Sequence, residues 1–163
     1  MSRLLLLWSA TFWLGLAVPA CALATDPFGL YRHCDLTFQR GSRRSTLAAV
    51  PVAMTPDQQQ RGLSEMAPMT HNAMLFVWAT ARPRVVWMHR TRMALVAAFL
   101  DQAGSIFQVT PMQPETDTFH PSERPAVALL EMDTRTRQAS GLGVGWRMVH
   151  RVCFGAGRPK RTY

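Results

Sequence analysis

Apolar residues in this chain fall into runs of strand length, cut off by glycine and proline, and that spacing limits the fold more than any other feature. Residues 73–79 (AMLFVWA) and 94–100 (ALVAAFL) are continuous apolar runs, too short for ordinary helices and apt for buried strands. Residues 46–54 (TLAAVPVAM) make a third, with Pro51 near the middle. Proline offers no ladder donor, so this strand is expected at an edge or a bulge. Residues 35–40 and 147–154 alternate apolar with polar, residues 85–88 are a further short strand, and residues 126–132 read as strand or short helix. The turn Asp101-Gln102-Ala103-Gly104 returns residues 105–109 as a hairpin partner. Residues 41–44 read as a turn, residues 111–125 as a proline-rich loop, and the alternation of Gly141, Gly143 and Gly145 as another loop. Helix signals are scarce. Thr55 can cap, Pro56 suits the first helical position and Gln58 completes a capping box, but Gly62 stops that helix early. Many short strands against one clear helix, in 163 residues, predict a single compact α+β domain, mainly β, with one or two short helices.

Ahead of that domain lies a different kind of segment. Arg3 is followed by an almost wholly apolar stretch, residues 4–18, then by Pro19 and the small residues Ala20, Cys21, Ala22 and Ala24. This is the charged, apolar and small-residue order of a secretory signal peptide, here residues 1–24. A cut after Ala22 or after Ala24 fits equally well. An uncleaved anchor is the alternative, although a permanent span usually needs about 20 apolar residues. Residues 18–21 loosely resemble a lipobox, with Pro19 as a departure, which leaves lipidation at Cys21 as a third outcome. The expectation is an exported protein of the periplasm or cell envelope, without a permanent transmembrane segment once the leader is cut. In such a compartment Cys34 and Cys153 are a candidate disulfide joining the two ends of a domain spanning residues 25–154. Residues 155–163 form a basic, frayed tail.

Eighteen Lys and Arg oppose ten Asp and Glu, for a formal charge of +8. Such a balance attracts anionic partners at long range. For an exported chain these are phospholipid head groups or anionic wall polymers rather than nucleic acid, for which no motif is present. The histidines His33, His71, His89, His120 and His150 are dispersed, and no serine has a GxSxG context. No catalytic set can be assembled from the linear order, and no cofactor is called for.

The order of short motifs resembles a known family. Arg61-Gly62-Leu63 is followed by residues 73–78 (AMLFVW) and then by Trp87-Met88-His89-Arg90-Thr91. Residues 98–101 (AFLD), Met112 with Pro114, Pro125-Ala126 and residues 141–145 (GLGVG) complete the series. In this order they resemble the bacterial and archaeal domain of unknown function 192, over roughly residues 50–149. The resemblance implies a compact, strand-dominated domain, often exported, with no firmly attached activity. Four departures stand out. The family's Trp-Met-Lys-Asn-Thr block has His89 and Arg90 here, its Pro-Leu-Asp has Val96 in place of Asp, and its Gly-Asp has Trp146.

Candidate binding residues follow from these blocks. Trp87 can stack on a sugar or ring, Arg90 can clamp an anion, and His89, Asp101 and His120 supply polar partners. The bland alternative puts Trp87 and Met88 in the core and His89 and Arg90 on a solvated face. Met66, Met69 and His71 are soft donors suited to Cu(I), though methionine far more often fills a core. The leading reading is a binding or accessory module for an anionic or carbohydrate-like envelope ligand. The alternatives are a hydrolase whose groups meet only in three dimensions, and a copper-handling periplasmic protein.

Overall fold

The computed structural model describes residues 31–66 and 73–154. The leader, the tail, Met69 and His71 therefore lie outside the described residues. The elements in chain order are β1 (Arg32–Arg40), β2 (Arg43–Ala53), α1 (Pro56–Arg61), β3 (Ala73–Arg82), β4 (Val85–Val86) and β5 (Leu95–Leu100). Then follow β6 (Ile106–Met112), β7 (His120–Pro121), β8 (Ala126–Asp133), α2 (Thr134–Ser140) and β9 (Arg147–Phe154). Seven strands make one sheet in the order β6-β5-β8-β3-β2-β1-β9, and β4 and β7 form a separate two-stranded ribbon. In the large sheet only the β2–β3 contact is parallel.

That sheet curls until its outer strands meet. Ser105 bridges to Arg147, the Ile106 N–H donates to the Trp146 carbonyl at 2.7 Å, and the Met148 N–H donates to the Gly104 carbonyl at 2.9 Å. Gly104 is needed at this seam. Its φ is +76°, and a Cβ there would lie 2.9 Å from the Met148 carbonyl oxygen.

Curling separates two apolar clusters. Cys34, Leu36, Phe38, Val50, Val52, Leu75, Leu100, Leu130 and Trp146 belong to the first. Since strands all around the ring contribute, it fills the interior. The second includes Tyr31, Leu63, Met74, Phe76, Met88, Ala97, Phe99 and Leu129, on the outer face of β3, β5 and β8. Glu131 lies on that outer face too, directly opposite Met74 on β3 and Ala97 on β5. It is 6% exposed, and burial alone pushes its carboxyl up to about 8.

Strand β2 has a neighbour on each side in the sheet, but its pairing with β3 covers only Val52 and Ala53, so Pro51 is paired on the β1 side alone, as at an edge. A bulge lies just before it. Pairing shifts from Cys34↔Val50 to Leu36↔Leu47, so β2 carries one extra residue there. Ala49 has a left-handed φ of 51°, and its N–H is held by Asp35 Oδ1 at 2.9 Å. Cys34 and Cys153 face each other across β1 and β9 and are disulfide-bonded, 119 residues apart in sequence. Such a closure stabilises by about 5 kcal/mol in the entropic picture.

Local readings hold in part. Helix α1 has the expected capping box, with the Gln58 N–H donating to Thr55 Oγ1 and Gln58 Oε1 accepting from the Thr55 N–H. Residues 126–132 belong to a strand rather than a helix. Residues 111–125 are not wholly loop. Strand β6 runs on to Met112, and β7 within the segment pairs with β4, itself shorter than residues 85–88. Helix α2 carries no apolar face, which is why periodicity missed it. Its signal is the Asp133 cap, which accepts from the Thr136 N–H at 2.6 Å.

Candidate functional site

Alternation along residues 87–91 decides what this block exposes. Met88 and Thr91 turn inward and are buried, whereas Trp87, His89 and Arg90 turn outward. Trp87 is therefore not core: 49% of it is exposed. The β4–β7 ribbon pairs Val86 with His120, which sets Phe119 beside Trp87. The Trp87 ring stacks on His89 at 4.9 Å and 18° and on Phe119 at 5.7 Å and 16°. A strip of three near-parallel rings results, with Phe119 itself 65% exposed and Val85 nearby at 58%. Exposed large apolar groups gathered on one surface mark a site of contact.

Polar groups edge the strip. Asp117 Oδ1 lies 2.9 Å from His89 Nδ1, which orients the imidazole. The block is held from behind. The Met88 N–H donates to the Thr116 carbonyl and the Glu115 N–H to the Thr91 carbonyl, while Ser64 Oγ donates to the His89 carbonyl. Arg90 is engaged with Glu65, Nη1 to Oε1 at 2.7 Å, and its carbonyl accepts from the Glu65 N–H at 2.8 Å. Both residues have left-handed φ, so this pair pins two turns together. The guanidinium is thus committed to a structural partner at the margin of the strip.

The other singled-out residues separate. Asp101 caps the β5–β6 turn: Oδ1 accepts from the Ala103 and Ser105 N–H groups, and Oδ2 binds Arg124 at 3.0 Å. His120 is on the ribbon, half-buried, with an Nε2 that has no hydrogen-bond partner among the described residues. Met66 is buried in the second cluster with Met74 and Met88. No group of three His, Cys, Asp or Glu among the described residues is placed to hold a metal. Neither Ser64 Oγ nor Thr91 Oγ1 meets the His89 ring; both donate to its main-chain carbonyl, so no nucleophile is coupled to the His89–Asp117 pair by these bonds. Asp117 stood out in the sequence only as a polar residue of the proline-rich loop, with His120 and Glu123, and Phe119 not at all; they lie about thirty residues from Trp87, and only the ribbon brings them back. Val96 and Trp146, standing where carboxylates are usual, are both buried, Trp146 within the interior cluster under Arg43. Apolar side chains suit those surroundings.

Two solved structures are similar. One, from Sinorhizobium meliloti 1021, is described as a suspected transcription regulator; it is 27% identical, with a TM-score of 0.66 over 72% of this chain and 92% of that one. A protein of unknown function from Novosphingobium aromaticivorans DSM 12444 shares the fold at 21% identity, with a TM-score of 0.62 over 69% of this chain and 81% of that one. No curated protein matches. A family pattern matches residues 37–150, a wider span than the motifs alone marked out, and on that match the chain belongs to the uncharacterized ACR family DUF192.

Proposed function

We propose that this protein is an exported binding module that recognises an acidic carbohydrate of the cell envelope along the Phe119–Trp87–His89 strip. The observation that carries this reading is the strip itself, His89 and Phe119 each within 18° of parallel to Trp87, with about half of Trp87 and more of Phe119 open to solvent. A pyranose ring presents an apolar C–H face that lies well on aromatic surface, and its hydroxyls find His89 Nε2 and Asp117 at the edge. The excess of basic over acidic residues, +7 once the leader with Arg3 is cut, adds long-range attraction for an acidic polymer. Export is supported by the leader pattern and by the cross-strand disulfide, a bond that persists in oxidising compartments. The regulator description belongs to the Sinorhizobium protein. Among the described residues the two helices are six and seven residues long, short for reading a major groove.

Calorimetric titration of the full chain with polygalacturonate tests the reading. Wild-type protein is expected to bind, and Trp87→Ala to weaken binding by about tenfold, the order of one good aromatic contact. Absence of binding, or equal binding by Trp87→Ala and Phe119→Ala, would remove the strip as the site.

A further inference from the structure

The barrel holds a second feature. Strand β3 parts from β8 after Val77 and rejoins it only where Arg82 meets Ala126. A cleft of about 310 Å³ opens there, lined by Val77, Leu100, Val127, Ala128 and Met148 and, at its rim, by Trp78 and Val149. The first five belong to the interior cluster or pack against it, whereas Trp78 packs against the outer one. The cleft is thus the mouth of the barrel interior, a position where barrels commonly take small ligands, and its size is at the lower end for such sites, roughly 300–1,000 Å³.

Register brings one cation to that mouth. On β1 and β9, Leu36 lies opposite Arg151, and Cys34 opposite Cys153. Directly opposed residues of an antiparallel pair share a face. Leu36 and Cys34 face the interior, so Arg151 belongs to the interior face as well, yet it is exposed and lines the cleft. Among the described residues the Arg151 side chain has no hydrogen bond or ion pair. The acid that also lines the cleft, Asp101, is occupied by two N–H groups and Arg124. An apolar floor with a single uncompensated guanidinium calls for one anionic group on a hydrocarbon body.

We propose that the barrel mouth binds a short-chain monocarboxylate, its carboxylate forked on Arg151 and its chain against Leu100, Ala128 and Met148. The planar guanidinium matches a carboxylate through two parallel hydrogen bonds. This site is separate from the aromatic strip and does not depend on it.

Amide chemical-shift titration of the full chain tests it, with hexanoate and the neutral isostere hexan-1-ol as probes. Saturable shifts from hexanoate are expected at residues 100–104, 127–128 and 148–151. Arg151→Gln, an exposed strand position, should weaken hexanoate by about tenfold or more, with Arg147→Gln on the same strand unchanged. Hexan-1-ol should bind more weakly than hexanoate to the same extent. The proposal is overturned if no saturable shift occurs at those amides, if Arg151→Gln binds hexanoate as wild type does, or if the alcohol binds equally. Shifts confined to residues 85–92 and 117–119 would also overturn it, moving the ligand to the strip.

Discussion

Replacing Glu131 by glutamine should make the protein more stable at neutral pH and flatten its stability against pH. In the fold the carboxyl lies between Met74 and Ala97 on buried outer-face positions, and burial raises its value from 4.5 to about 8. The unfolded chain therefore releases this proton at lower pH than the folded one. Between those values the native state holds a proton that the unfolded state has lost, so stability falls as pH rises. It is fully present below about 4.5 and is lost progressively until pH passes about 8. Each pH unit in that window costs about 1.4 kcal/mol, giving a loss of about 2 kcal/mol at pH 6 and about 4 at pH 7.5. A domain of this size has only about 5–15 kcal/mol in total, so the effect is large. Urea unfolding from pH 5 to pH 9 measures it. Glu131→Gln has no proton to lose, so the difference between variant and wild type isolates this residue. A difference that stays constant across that range would refute the reasoning, because it would mean that Glu131 ionises alike in both states.

Other outcomes follow from the same structure. Cys34→Ser with Cys153→Ser, or reduction of the bond, should lower unfolding free energy by about 3–5 kcal/mol, read as a fall in thermal midpoint. Gly104→Ala forces a Cβ against the Met148 carbonyl at a left-handed position and should cost about 2 kcal/mol or more by urea unfolding. Ala49→Gly relieves a left-handed φ at the β2 bulge and should stabilise by about 0.5–1 kcal/mol in the same assay. Expression of the full chain in a bacterium, followed by N-terminal sequencing of the periplasmic fraction, should give a start at Leu23 or Thr25; an intact Met1 there would count against cleavage.

What the sequence determined by itself was local. Continuous apolar runs became β3 and β5 because a segment shorter than an ordinary helix and apolar on both sides is best buried in a sheet. Capping chemistry placed α1 because its two bonds connect residues three apart. The cysteine pair was legible because, if residues 1–24 are read as a leader, Cys34 and Cys153 are the two cysteines left to pair. Sites made by distant segments were not legible. Phe119 reaches Trp87 only through a two-residue ribbon, and Glu131 looks like an ordinary strand acid until Met74 and Ala97 close over it from either side. Likewise, Arg151 is one arginine among many until its pairing with Leu36 turns it toward the interior. Strand period states that neighbouring residues face opposite ways; which way is inward depends on register and on the curl of the sheet, and those arise from contacts far apart along the chain.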